Sequence, residues 1–293
     1  MKSREIPVLF IASHGPVVGL LAWVRLICLS IIMSAGRIVM KDRISLLLAV
    51  GALIFAGFML ASGFYIYLIA LTSWEKVAPQ FLSGRVLGAL LVSVSSSFIV
   101  GVLAVVAGVP FAYFLAYGDF RFKSTLETLM VDLPQTFPPV TVGLVYLILF
   151  GAGSPVNIAF TFAAVVIAKF YVSSPFMVGF AARRFREVKA RRLDLIARSL
   201  GANTRQLLFR IIIPLSRRDL LAGFSLTWAR AMGELGATMV FAGIIPWRTE
   251  VIPTLVYSVS QAEPNTAIAA AVVAETLSIV ALISLRRGVR ERR

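Results

Sequence analysis

Residues 183–218 read RRFREVKARRLDLIARSLGANTRQLLFRIIIPLSRR, a segment too charged to lie in lipid and too patterned to be a linker. It holds 11 Arg or Lys against two acids, Glu187 and Asp194. Leu193, Ile196, Ala197 and Leu200 stand at offsets 0, 3, 4 and 7, the spacing of one helical face. Arg191, Arg192, Asp194 and Arg198 fall mainly elsewhere on that helix. Gly201 is predicted to end it, because glycine takes the left-handed cap without strain. Asn203-Thr204 can cap a second short helix with Leu207, Leu208 and Ile211 on its face. Pro214 is predicted to stop that helix, since the residue before a proline disfavours helical geometry. The apolar face needs a partner, and the arginines need acidic groups or a lipid surface.

The flanking sequence puts this segment in a membrane protein. The chain has 293 residues, 59% hydrophobic and 15% charged, and a mean hydropathy of +0.88. Its apolar residues form long unbroken runs, where a soluble core would show short periodic ones. Six spans are predicted: 44–71, within 86–117, 128–150, 158–181, 219–243 and 266–285. The third is broken near its start by Pro134, Pro138 and Pro139. The expected fold is an all-α, polytopic integral membrane protein with six core transmembrane helices. Basic loops lie on the cytoplasmic side of a membrane. Arg37, Lys41 and Arg43 precede the first span, and Arg121 and Lys123 lie in the loop 118–125. The loop 182–218 and the tail 286–293, with five Arg against Glu291, complete the basic set. Loops 72–85, 151–157 and 244–265 are charge-poor. Both ends of the six-span core are therefore expected in the cytoplasm, with the chain multi-pass in the cell membrane.

Residues 1–43 leave two readings open. Segment 6–33 is apolar but interrupted by Pro7, His14, Pro16 and Arg25. It is either an extra N-terminal helix or the product of an over-long start, with Met40 the natural first residue. The expected organisation is thus an extension over 1–43, a membrane domain over 44–285 containing the loop 183–218, and a basic cytoplasmic tail over 286–293. The net charge of +15 does not point to nucleic acid, because the basic clusters abut membrane spans. A single cysteine, Cys28, and a single histidine, His14, exclude a disulfide framework and the usual zinc ligand sets. No catalytic residue and no metal site are expected. The chain has no G-x-x-x-x-G-K-[ST] phosphate loop, so ATP chemistry would have to come from a partner.

Three ionisable residues fall at membrane depth: Lys169, Glu234 and Glu275. Charges there are costly and are paired or face a pathway. Arg230 and Glu234, four apart, suit a structural ion pair, with a gate as the second role for Glu234. Lys169 suits a partner for Glu234 or Glu275, or a group that attracts an anion. Pro134, Pro138 and Pro139 either bend their span or line a route through it. Gly233 and Gly236 serve close helix packing or a gate. Ser93, Ser95, Ser96 and Ser97 either bond to their own helix or offer donors.

The spacing Ile196-Ala197, three residues, Gly201, nine residues, Ile211-Ile212-Ile213-Pro214 resembles the "EAA" loop of binding-protein-dependent ABC transporter permeases, of MetI-like fold. Leu195 stands where that loop has glutamate, Ile196 where it has one alanine, and Ile213 where it has leucine; Asp194 lies beside the missing acid. Asp132-Leu-Pro-Gln-Thr-Phe-Pro-Pro-Val-Thr-Val-Gly143 is similar to the proline-broken span of the same family. Arg230-Ala-Met-Gly-Glu-Leu-Gly-Ala-Thr238, then Ala242-Gly243 and Ile245-Pro246, resembles the "GEFGAT…AGNIPG" stretch of molybdate/tungstate permeases. Thr249-Glu-Val-Ile-Pro-Thr-Leu-Val-Tyr257 resembles their "TQTLPLAIY".

The resemblance covers residues 44–285. It implies the membrane-spanning subunit of an ATP-driven importer, as a homodimer. Two separate ATPase subunits would hold ATP and Mg, and an extracytoplasmic binding protein would deliver a molybdate or tungstate oxyanion. No cofactor is expected on this chain. The resemblance assigns ATPase coupling to Asp194, Ala197, Gly201, Ala202, Ile211 and Pro214. Candidates for a pathway or gate, from the residues themselves, are Pro138, Pro139, Thr141, Gly233, Glu234, Gly236 and Thr238. The alternatives are a sulfate/thiosulfate permease and a membrane-embedded enzyme; the second would need a cluster of His, acid or Ser side chains that the lone His14 and scattered acids do not offer.

Overall fold

A computed structural model describes residues 43–290, and every regular element among them is helical. The readings of residues 1–42, Cys28 and His14 included, and of the last three residues of the tail lie outside the described residues. The chain divides into two units, one ending at Val77 and one starting at Ala78. The first contains α1 (Arg43–Thr72) and the short α2 (Trp74–Val77). The α1 helix is apolar on all sides, with Leu47, Leu48, Ile54, Phe55 and Phe58 exposed, as suits a helix surrounded by lipid.

The second unit opens with α3 (Gly84–Tyr117), whose first turn is capped by Ser83 accepting the Val86 N–H. Then come α4 (Lys123–Glu127), a π-helical turn (Thr128–Asp132) and α5 (Leu133–Thr136). Phe137 and Pro138 are extended, and α6 (Pro139–Phe150) leaves the break at 106° to the segment before it. The chain continues through α7 (Phe162–Ala190), α8 (Leu193–Ser199) and α9 (Thr204–Gln206). A second π-helical turn (Leu207–Ile212) leads into α10 (Ile213–Met232), followed by α11 (Gly236–Ala242), α12 (Ile252–Val259) and α13 (Pro264–Arg290). Among the described residues, Leu47–Thr72, α3 and α7 are long and apolar enough to cross a membrane, and the bent α4–α6 segment makes a fourth if taken as one span. The α13 helix carries a shorter apolar stretch, Pro264–Val280.

The second unit is built on α3, α7 and α10. Ala104, Ala112 and Leu115 of α3 pack on Met177, Ala181 and Phe185 of α7. Small residues let the helices close up: a Cβ on Gly101 would stand 2.6 Å from the Phe224 ring, and one on Gly223 3.0 Å from Met177 Sδ.

Three sequence expectations are corrected here. The helix of the fourth span does not stop with the span near 181: α7 runs on to Ala190, so the first part of the basic loop is its helical extension. The fifth span is not continuous, because the chain breaks between Met232 and Gly236. Pro214 does not stop the second loop helix. The π-helical turn before it carries one extra residue, closed by Ile213 N–H on Leu208 O, so the missing proline N–H falls where the ladder changes register. Pro134 follows its own π-helical turn in the same way, with Leu133 N–H on Thr128 O.

Candidate functional site

The loop that follows α7 is held by local chemistry. Arg192 takes a left-handed turn (φ 55°), and α8 begins directly after it. At its other end Gly201 has φ +86°; its N–H bonds Arg198 O at 2.9 Å, and the Ala202 N–H bonds Ala197 O at 3.0 Å. This pair of bonds is the Schellman closure. A Cβ on Gly201 would meet nothing within 4 Å, so the backbone angle alone calls for glycine. Asn203 then starts α9 with a reciprocal capping box: its side chain accepts the Gln206 N–H at 2.9 Å, and Gln206 Oε1 accepts the Asn203 N–H at 3.0 Å. The loop is tied to the membrane helices by Arg186–Glu127 at 2.5 Å, Arg184–Asp219 at 3.3 Å and the Lys189 ammonium on Ala116 O at 3.3 Å.

The faces of the loop differ from the sequence expectation. Ala197, Leu207 and Ile212 join the buried core, with Leu193, Ala202, Leu208 and Ile211 packed against it. Asp194 is buried too, its Oδ1 without a hydrogen bond. Ile196 and Leu200 do not share that face: with Leu195 and Phe209 they point outward, Leu200 being 83% exposed. A two-turn helix resting on the body buries only the strip 193, 194 and 197, and 195, 196 and 200 turn away. The result is an exposed apolar ridge, with Arg191, Arg192, Arg198, Arg205 and Arg210 exposed on the same loop. Beside it Asn203, Arg205, Gln206, Phe209 and Arg210 line an open groove. Gly201 and Pro214 are exposed.

At membrane depth, the Lys169 side chain is completely buried, and its ammonium donates to Ser96 Oγ at 2.9 Å and Ser97 Oγ at 3.1 Å. Neither Glu234 nor Glu275 is in ion-pair contact with it among the described residues. Glu234 is used elsewhere: Oε2 accepts from Arg230 Nη1 at 3.1 Å and Oε1 accepts the Ala237 N–H at 3.0 Å. The first bond is the expected ion pair. The second satisfies a free N–H at the start of α11 and fixes the break after Met232. Glu275 is half-buried, with Oε2 unbonded. Of the serines, Ser95 and Ser96 donate to their own helix at Leu91 O and Val92 O, and Ser93 Oγ accepts the Ile252 N–H.

The residues assigned to a pathway or gate are partly brought together. A Cβ on Gly236 would stand 3.2 Å from Pro139 Cβ and 3.0 Å from Val140 Cγ2, so this glycine serves close packing of α11 on α6. Gly233 has no such neighbour and is exposed. Pro138 and Thr141 are exposed, with the Thr141 hydroxyl on Pro138 O at 2.7 Å. Thr238 is buried with its hydroxyl unpartnered.

Sequence reasoning missed one ion pair, a half-exposed arginine on a buried acid. Glu250, completely buried, accepts from Arg85 Nη2 at 2.8 Å and Nε at 3.1 Å, and Arg85 Nη2 also donates to Ser258 Oγ at 3.3 Å. Its signal was opposite charges in two charge-poor loops, 72–85 and 244–265.

Comparison with known proteins fits this geometry. A family model described as "Binding-protein-dependent transport system inner membrane component" matches residues 108–291. A probable molybdenum ABC transporter permease of Haloferax volcanii is 36% identical over 201 residues, covering 67% of this chain and 68% of that one. The molybdenum transport system permease ModB of Mycobacterium tuberculosis is 33% identical over 211 residues, covering 69% of this chain and 78% of that one. A chain from inward-facing structures of the MetNI methionine ABC transporter superposes with a TM-score of 0.54 at 15% identity, over 70% of this chain and 95% of that one, which shows a common fold. The all-α membrane architecture, the ridged basic loop and the family match converge: this chain belongs to the binding-protein-dependent transport system inner membrane component family, the permeases of ABC transporters.

Proposed function

We propose that this chain is the permease subunit of an ABC importer for molybdate and tungstate. It works as a homodimer with two cytoplasmic ATPase subunits, which hold ATP and Mg, and with an extracytoplasmic binding protein that delivers the anion. The core termini lie in the cytoplasm, on the side of the basic loops. The observation that carries the reading is the loop 193–214. Its apolar ridge at Leu195, Ile196 and Leu200 is exposed, and arginines are exposed on the same loop. That surface suits a cleft with an apolar floor and acidic edges on the ATPase. Ala197, Ala202 and Ile211 seat the loop on the membrane helices, and Gly201 sets its bend. Asp194 belongs to the seat, since it faces inward.

Because the chain stays helical past Pro214, a pull on the loop travels along α10 to the break at Gly233–Leu235. There Glu234 and the α11–α6 contact at Gly236 can answer it. ATP-driven closure of the ATPases would draw two such loops together and turn the route outward. The substrate class rests on relatives named for molybdenum and on the stretch 230–257.

The test is uptake of labelled molybdate by proteoliposomes containing the permease, its ATPase and its binding protein. ATP-dependent uptake that tungstate abolishes and excess sulfate leaves intact is expected. Competition by sulfate and none by tungstate overturns the substrate reading and favours a sulfate/thiosulfate permease.

A further inference from the structure

The turn that follows α11 holds one residue in a conformation its side chain does not favour. Trp247 has φ +64°, in the left-handed region, where a bulky side chain crowds its own backbone. Glycine takes that region freely. The "AGNIPG" motif matched by Ala242-Gly243 and Ile245-Pro246 closes on glycine, and Trp247 stands in its place. Such strain persists only where the surroundings over-determine it. Here they do. Ile245 O accepts three N–H groups, from Arg248 at 3.1 Å and from Thr249 and Glu250 at 2.9 Å. Thr249 Oγ1 accepts the Ile245 N–H at 3.1 Å and donates to Gly243 O at 3.3 Å. The Glu250 carboxylate is held by Arg85.

Behind the ring lies a shelf on α3. Gly84 and Gly88 stand about one turn apart, and the indole lies over both. A Cβ on Gly88 would be 2.8 Å from its Cδ2, and one on Gly84 3.5 Å from its Cζ2. The shelf fixes the ring without enclosing it, for Trp247 remains 60% exposed. Packing on α3 therefore accounts for one side of the indole and leaves the other open. Pro246 and Arg248, on either side of it in the chain, are exposed too. Tryptophan and arginine are the side chains enriched where a protein partner is gripped hardest, and an anchor fixed beforehand loses little entropy on binding. The turn belongs to the charge-poor loop 244–265, and the shelf begins at the end of the charge-poor loop 72–85, the loops expected outside the cytoplasm. Interfacial lipid also attracts tryptophan, yet it asks for no fixed orientation, which is what the strained turn supplies.

We infer that Trp247, with Arg248 at its edge, is the anchor by which this permease recognises its extracytoplasmic binding protein. The indole enters an apolar socket on that protein, and the guanidinium meets an acidic rim. The inference rests on the proposed importer and deepens it by naming the side chain that selects the delivery partner. A glycine at this place offers no projection, so Trp247 gives the chain a preference for a binding protein with a matching socket.

The experiment uses the complete transporter, permease with ATPase in proteoliposomes, titrated with molybdate-loaded binding protein. ATP hydrolysis gives two quantities, the half-saturating concentration of binding protein and the maximal rate. The variant is Trp247→Gly, which suits φ +64° and so keeps the turn. Its half-saturating concentration is expected to rise at least about tenfold, the loss expected for an anchor residue, with the maximal rate recovered at saturation. An unchanged half-saturating concentration, whether or not the maximal rate falls, makes Trp247 a strap on α3 or a lipid anchor and overturns the inference. Should that variant fail to assemble, Trp247→Cys in a Cys28→Ser background decides the matter. Modification by an impermeant thiol reagent from outside, blocked by the loaded binding protein, supports the anchor. Equal modification with and without binding protein overturns it. Absence of molybdate uptake by the wild type would remove the functional reading and this anchor with it. Wild-type uptake with an unchanged half-saturating concentration in Trp247→Gly removes the anchor alone.

Discussion

The loop at 193–214 and the seam around Lys169 are built with opposite polarity. On the loop, Leu195, Ile196 and Leu200 stand outside while the acid Asp194 is buried. At membrane depth Lys169, Ser96, Ser97 and Ser173 are inside while Leu91, Leu103 and Phe98 face outward. Each arrangement leaves something unmatched. The ridge exposes apolar area next to a field of arginines, which a protein cleft with an apolar floor and acidic edges matches. The seam hides the Lys169 amine, which donates to the Ser96 and Ser97 hydroxyls, and a Ser173 hydroxyl without a partner. An apolar ridge left outside calls for a partner, whereas polar groups drawn inside are met mainly by the helices that bury them.

The largest expected effect breaks the loop side alone. Replacing Leu195, Ile196 and Leu200 together by Asp removes three outward apolar side chains, each worth about 1.5–3 kcal/mol when buried against a partner. Uptake should fall at least ~100-fold, while thermal unfolding of the isolated permease barely moves, since exposed sites change stability by under about 0.5 kcal/mol each. Next comes the buried side. Arg85→Met leaves Glu250 buried without a counter-charge and should cost about 3 kcal/mol in an unfolding titration in detergent, with Arg85→Met/Glu250→Gln recovering most of it. That result would show how this protein treats a buried acid held by a guanidinium, where Lys169 is held by serine hydroxyls.

Smaller still is Gly143→Ala, whose Cβ would stand 2.8 Å from Ala237 O and 2.9 Å from Ala237 Cα. Backbone against backbone cannot yield easily, so a loss of about 1–3 kcal/mol in thermal stability is expected as α6 and α11 are forced apart. The mildest change is Gly201→Ala, which meets no neighbour and suffers only the positive φ, about 1 kcal/mol. Its mark should be a few-fold rise in ATP spent per anion, with Gly201→Asn closer to wild type because asparagine tolerates the left-handed region.

What could be read from the sequence followed its range. The left-handed Gly201 and the Asn203 cap are decided within a few residues, and both were legible. The Arg230–Glu234 pair is four residues long and was legible too. The outward turn of Ile196 and Leu200 was not, because their spacing with Leu193 and Ala197 specifies a helix without saying how narrow the strip is that the body covers. Passage through Pro214 was hidden because the π-helical turn that admits it leaves no residue signature. Lys169 with Ser96 and Ser97, and Arg85 with Glu250, join residues far apart in the chain, so only the packing of α3 on its neighbours brings them together.

The outward ridge has to be gripped from the cytoplasm for the loop to couple ATP to transport. Leu200, the most exposed residue of that ridge, can be changed to cysteine in a Cys28→Ser background without touching the core. Oxidative cross-linking to a cysteine placed in the cleft of the partner ATPase, in inside-out vesicles, is the direct measurement. A permease–ATPase adduct that forms there is the predicted result, its yield changing when ATP is added. Modification of Leu200→Cys by an impermeant reagent from outside intact cells, or an ATPase that co-purifies in full yet never cross-links, would contradict it.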